Sequence, residues 1–209
     1  MKKALRFILL FASCYGFSQN IKATYNFTRI NTDPNIAIPD WYIPYVFSYE
    51  YSNGKSISKI LSGPQPGPHI KTPTENTHYK DLTNNSYQWE LVTDSKTYSV
   101  KDKLPDSDWN IGTETQIIKG HTCTRATGTS GTTPVIAWFA NDIKVTDGPL
   151  RYCGLPGLIL KLEVNGTNEF NIATLEFIKQ PIKIDPPKNK SNFITIEALQ
   201  QIVNKLAKP

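Results

Sequence analysis

The sequence is poor in the residues on which most chemistry depends. Its 209 residues hold three histidines, three cysteines and one methionine. His69, His78 and His121 follow no zinc-ligand spacing, and no Cys-x-x-Cys pair accompanies them. There is no Gly-x-Ser-x-Gly, no phosphate-cradling Gly-x-x-x-x-Gly-Lys loop and no His-Glu-x-x-His, so the enzyme classes that announce themselves by motif are excluded. No cofactor is expected. Charge of either sign is also in short supply. The net charge is +5, and removing the basic start (Lys2, Lys3, Arg6) would leave +2. That balance argues against nucleic acid as a partner. Beyond residue 18 no apolar run approaches the ~20 residues of a spanning helix, so no transmembrane segment is expected after cleavage of the start.

Residues 1–18 read as a signal peptide. A basic stretch precedes the apolar run from Phe7 to Phe17, and Gly16 and Ser18 are small enough for a peptidase cut before Gln19. The expected location is therefore periplasmic or secreted. The alternative is a lipoprotein anchored at Cys14, from the run Phe11-Ala12-Ser13-Cys14. With residues 1–18 gone, residues 19–209 are expected to form a single β-rich domain. Cys123 and Cys153 then remain as an even pair in an oxidising compartment. Two outcomes are open: a disulfide closing a loop of about 30 residues, worth roughly 3.6 kcal/mol in the chain-entropy account, or two buried thiols packing as small hydrophobes.

What the sequence has in quantity is turn formers and aromatics. Fifteen prolines, twelve glycines, ten tyrosines and four tryptophans are present, a composition for many short strands. Period-two alternation predicts strands over Asn20–Phe27, Tyr42–Tyr51, Ser56–Leu61, Tyr87–Val92 and Thr97–Val100. Asn53-Gly54 and Asn165-Gly166 predict tight hairpin turns. Residues 62–77, with Pro64, Pro66, Pro68 and Pro73, read as a loop. Trp109–Thr127, broken at Gly112 and Gly120, should pair with Val135–Ala140, and Leu158–Val164 with Phe170–Ile178. After a Pro- and Lys-rich spacer, Thr195 is placed to cap a short helix over Ile196–Ala207.

The most informative stretch is Gly154-Leu155-Pro156-Gly157-Leu158-Ile159. Pro156 suits the first central position of a turn, and Gly157 is expected to supply the positive φ of the second. Gly154 is expected to permit a close backbone approach. Leu158, Leu160, Leu162 and Val164 should then face a core while Lys161 and Glu163 face out. Together with Trp109-Asn110-Ile111, Ile118-Lys119-Gly120-His121-Thr122-Cys123-Thr124-Arg125-Ala126 and Ala137-Trp138-Phe139-Ala140-Asn141-Asp142-Ile143, this stretch resembles the GLPGLI family over roughly residues 105–165. The resemblance implies a secreted or periplasmic protein of one group of Gram-negative bacteria, with a mostly antiparallel, curved, bowl-like sheet and no established activity. It also implies a likeness to the bowl-shaped N-terminal domain of a bacterial peptide N-glycosidase, and a setting near outer-membrane import receptors. The chain departs from the family pattern at Cys153.

The expected fold class is thus mostly β: a single curved antiparallel sheet or partial barrel with a short C-terminal helix. Catalytic constellations are weak. His121 and Cys123 share a strand face, but no orienting Asn or Asp is indicated for a thiol nucleophile. Asp142, Asp147 and Glu114 are acids without a readable separation, and turn formation accounts for the aspartates. The aromatics carry more. Trp41, Trp89, Trp109 and Trp138 either fill a one-layer bowl or line its concave side. Trp138, Trp109 and Tyr152 are the candidate ligand residues. The expected function is a non-enzymatic binding or accessory protein at the cell envelope. Its partner would be an envelope protein, a peptide, or a lipophilic or glycan ligand. The alternatives are a carrier of lipophilic cargo with the C-terminal helix as lid, and a hydrolase with an unrecognised site.

Overall fold

The computed structural model describes residues 19–30, 44–63, 77–92, 96–188 and 192–206. The signal-peptide reading, Cys14, Trp41, His69 and most of the proline-rich loop lie outside them. In chain order the strands are β1 (Asn20–Arg29), β2 (Tyr45–Ser52), β3 (Lys55–Ser62), β4 (Thr77–Asp81), β5 (Ser86–Val92), β6 (Thr97–Asp102), β7 (Asn110–Ile118), β8 (His121–Ser130), β9 (Thr133–Ala140), β10 (Leu158–Val164), β11 (Asn168–Ile178) and β12 (Phe193–Ile194), followed by helix α1 (Ile196–Leu206). All twelve strands share one open sheet, in the order β12-β6-β5-β4-β3-β2-β1-β11-β10-β9-β8-β7. The curved, mostly antiparallel sheet with one short C-terminal helix is as expected; among the described strands only the two-residue β12 runs parallel, against β6.

Two hairpin meanders, β2–β6 and β7–β11, meet on β1, which pairs with both β2 and β11. Local chemistry builds the hairpins. Asn53-Gly54 and Asn165-Gly166 both carry positive φ at each residue, the twist that suits two-residue turns. Curvature follows from the connection between the meanders. β6 and β7 are consecutive in the chain but ten strand spacings apart in the sheet. In a flat sheet, spacings of about 4.8 Å would separate them by roughly 48 Å. The eight Cα steps from Asp102 to Asn110 span at most roughly 28 Å. The sheet must therefore bend until its two ends approach.

The main core lies on the inner face. Ile21, Tyr25, Tyr49, Phe139, Leu158, Leu160 and Leu162 are all essentially inaccessible. A smaller cluster joins Leu91 and Val100 to Leu199 of α1. Thr195 caps this helix through the Ala198 amide, 3.2 Å from its Oγ1, and the Ile196 amide donates to the Asp102 carboxylate at 3.2 Å. Among the described residues, no helix is long and apolar enough to cross a membrane.

Two details of the motif differ from expectation. Gly157 does not take positive φ; Gly154 does, at 94°. Gly157 instead allows close approach, because a Cβ there would stand 2.2 Å from the Ala140 carbonyl oxygen. The roles assigned to the two glycines are exchanged. In β10, Ile159 is fully buried beside Leu158 and Leu160, whereas Val164 is only half-buried. The register against β9 shifts between Ile159 and Lys161, so a bulge interrupts strict alternation. Two strands, β4 and β12, have no counterpart in the sequence expectations.

Gly157→Ala is expected to cost about 2–4 kcal/mol, as an overpacked backbone contact. Gly120→Ala, at a turn with φ of 83° and open space around it, should cost only about 1 kcal/mol. Urea denaturation of both variants tests the difference, and equal losses would show that Gly157 is not a packing position.

Candidate functional site

The bend brings the polar residues of β4 under the long connection from β9 to β10. Lys80 and Asp147 form a buried ion pair, with side chains 2% and 0% exposed. The same ammonium donates to the carbonyls of Gly148 at 2.7 Å and Tyr152 at 3.1 Å. The other oxygen of Asp147 accepts from the Tyr49 hydroxyl at 3.0 Å. Tyr25 donates to the Ile159 carbonyl at 2.7 Å. Burial and the Asp147 charge raise the pKa of both tyrosines, so each phenol remains a hydrogen-bond donor. These bonds hold residues 147–152 down over the concave face.

Beside the held segment lies a cavity of about 370 Å³, within the roughly 300–1,000 Å³ range of small-ligand sites. Its floor is aromatic. Phe27, Phe47 and Phe170 come from β1, β2 and β11, with Phe27 and Phe170 at 4.6 Å between ring centroids. One wall is His78 on β4 stacked on Trp89 of β5, at 5.2 Å and 14° between planes. His78 Nδ1 and the Tyr87 hydroxyl are hydrogen-bonded at 2.6 Å. Leu150, Arg151 and Tyr152 of the held segment and Ile196 of α1 complete the lining. Burial above all, then the charges of Lys80 and Arg151, lowers the His78 pKa to about 3. The imidazole is therefore neutral at physiological pH.

The sequence candidates separate clearly in space. Tyr152 lines the cavity; Trp109 and Trp138 do not. Trp109 donates from Nε1 to the Cys153 carbonyl at 2.9 Å and so fastens the start of β7 to the connection. Trp138 alternates with buried Val135, Ala137 and Phe139 and sits across from Arg125 and Lys161 on the outer face. Cys123 and Cys153 are buried free thiols. Cys123 Sγ donates to the His121 carbonyl at 3.6 Å, while Cys153 is bridged through its backbone to Asp147. The disulfide left open by the sequence is thus not formed. Burial, then the Asp142 charge, pushes the Cys123 thiol up to about 11, the opposite of an activated nucleophile. His121 is held by Asp142 at 2.7 Å, and Glu114 by Arg125 at 3.3 Å. With Asp147 paired to Lys80, the three candidate acids each have a separate partner. No metal-binding group of three His, Cys, Asp or Glu occurs among the described residues.

Sequence reasoning missed His78, Arg151 and the Lys80 anchor as contributors to the cavity. Phe27, Phe47, Tyr87, Trp89 and Phe170 were already assigned to strands, and Trp89 was one of the four tryptophans weighed for the concave side. Their convergence depends on the order of strands, which no local pattern contains.

A one-sheet β-bowl with an apolar concave site is the class of protein this arrangement defines. Residues 51–200 match the family described as "N-glycanase peptide, N-terminal domain", and the chain belongs to that family. No curated protein matches it. Among solved structures it resembles PNGF-II in two crystal forms. The form in space group C2 is 16% identical with a TM-score of 0.59, the match covering 90% of this chain and 33% of that one. The form in P21 is 15% identical with a TM-score of 0.63, covering 90% and 34%. At such identity the likeness shows the fold alone. The chain spans about a third of the length of these structures' chains.

Lys80→Met should cost about 3–5 kcal/mol, since it strands a buried carboxylate. Adding Asp147→Leu should recover part of that loss in a double-mutant cycle of urea midpoints. His78 gives a second test. Its folded pKa lies below its unfolded value of 6.5, so the unfolded state binds the extra proton. Stability should fall as the pH drops from about 6.5 toward 3, and His78→Phe should flatten that slope in pH-dependent melts.

Proposed function

We propose that the chain is a non-catalytic binding domain of the cell envelope, exported through residues 1–18, whose concave cavity holds a small, largely apolar ligand. The observation that carries this reading is the aromatic cavity of about 370 Å³ under the 147–152 segment. A space of that kind, walled by rings from five strands and a fixed loop, suits ligand burial better than core filling. The dispersal of Glu114, Asp142 and Asp147 to separate partners, Arg125, His121 and Lys80, supports an accessory rather than a hydrolytic role. The motif residues 154–159 support membership of the GLPGLI group as well. The description of the matched family favours a second reading, recognition of a glycan on a peptide. The stacked His78–Trp89 pair offers the flat face such a sugar ring would use.

Binding is tested by calorimetric titration of the full chain with 1-decanol and with an N-glycopeptide, alongside an assay for glycan release. Decanol is expected to bind, and no glycan should be released. Phe170→Ala should weaken decanol binding by about tenfold or more, whereas Trp138→Ala should leave it unchanged. Binding that depends on Trp138 and ignores Phe170 would move the site to the outer face. Glycan release by the chain alone would overturn the non-catalytic reading.

A further inference from the structure

The polar groups of the cavity are not balanced. Among the described residues no Asp or Glu lines it. The nearby buried carboxylate, Asp147, is already taken by Lys80 and Tyr49. His78 Nδ1 and the Tyr87 hydroxyl are bonded to one another, and the Asn168 amide donates to Thr167 at 3.0 Å. Two further donors stand out. Trp89 Nε1 is buried without a hydrogen-bond partner. Arg151 has no carboxylate at ion-pair distance among the described residues, and its guanidinium lies over the Tyr152 ring, 5.7 Å from the centroid. Arg151 and Trp89 both line the cavity, and His78, which stacks on Trp89, feels the charge of Arg151.

We propose that the cavity binds an amphiphile with a single carboxylate, its head held by Arg151 and Trp89 and its apolar tail on Phe27, Phe47 and Phe170. The assignment rests on the reading of the cavity as a ligand site and names its ligand class. A buried N–H and an unopposed guanidinium call for an acceptor that carries negative charge. A cationic head would meet Arg151 with no acid to offset it. A sugar with many hydroxyls would find too few free donors and acceptors on these walls. One cation and one N–H match a monoanion with two oxygens better than a phosphate dianion. Arg151 is also held in place before any ligand arrives. It lies between Gly148 and Tyr152, whose carbonyls Lys80 grips, so little ordering of its backbone remains to oppose binding.

The test is calorimetry of the full chain at neutral pH with decanoate, 1-decanol, decylammonium and decyl phosphate. Decanoate should bind about tenfold or more tightly than decanol, and decylammonium not at all. Arg151→Gln should erase that preference, so that decanoate binds no more tightly than decanol. Arg151→Lys should keep most of it, which separates loss of charge from loss of fold. Trp89→Phe, which keeps a ring but removes the N–H, should weaken decanoate more than decanol. Equal binding of decanoate and decanol, or a preference that survives Arg151→Gln, overturns the head-group assignment and leaves the cavity reading standing. Tighter binding of decyl phosphate overturns the carboxylate. Failure of every ligand to bind overturns both the assignment and the cavity reading beneath it.

Discussion

The buried pair of Lys80 and Asp147 organises the concave side of this molecule. An ion pair in an apolar interior adds little net stability, because both charges lose their water. What it adds here is placement. The Lys80 ammonium meets the carboxylate and two carbonyls, and Asp147 also takes the Tyr49 hydroxyl. Few alternative arrangements of the 147–152 segment would satisfy that many buried polar atoms at once. The connection from β9 to β10 is thereby fixed against β4, with Leu150, Arg151 and Tyr152 turned toward the open half of the bowl. Without the pair, the inner face would lose one wall.

Curvature supplies the rest of the enclosure. A twelve-stranded sheet that stays flat offers surfaces but no interior. The short link from β6 to β7 forbids flatness, since it has to connect strands near opposite ends of the sheet. Bending turns alternate side chains of β1 to β5 and of β10 and β11 inward. β1, β2, β5 and β11 carry Tyr or Phe among these positions and β10 carries Leu, so rings and aliphatic side chains share the inside. Ring packing is complete under the 147–152 segment, where Tyr25 and Tyr49 meet edge to face at 5.8 Å. Toward α1 it is incomplete, and the cavity occupies that remaining space.

The hairpins were legible because their signals are local. Asn53-Gly54 and Asn165-Gly166 need only their own backbone preferences, and the alternation of Tyr45, Phe47, Tyr49 and Tyr51 needs only period two. β4 was not legible. Thr77-His78-Tyr79-Lys80-Asp81 reads as polar, yet Lys80 and Asp81 are among its buried residues. A charge belongs on an inner face only when its partner is known, and Asp147 lies 67 residues away in the chain. For the same reason Asp147 read as a turn former. Trp138 and Trp109 drew attention as large aromatics, but strand parity puts the first outside the bowl. A bond to a distant carbonyl commits the second to holding the loop. The cavity residues were visible singly, as members of alternating strands. Their meeting depends on β1 joining the two meanders, which is a property of topology.

The Gly-Leu-Pro-Gly turn links these levels. Taken locally it is architectural: Gly157 lies against the Ala140 carbonyl, Leu155 and Leu158 are fully buried, and the Gly154 amide donates to the Thr146 carbonyl at 3.0 Å. Those contacts close the connection on itself, so residues 147–153 leave and rejoin the sheet at fixed points. The amide of Ile159, the last residue of the motif, donates to the Asp147 carbonyl at 2.9 Å. The residue that anchors the loop to Lys80 is therefore also bonded to the start of β10. A change in the turn must shift either Asp147 or β10, and β10 is held on both sides by β9 and β11. The displacement would fall on the loop and on the wall it presents. A motif with no chemistry of its own thus sets the shape of the cavity through one buried aspartate.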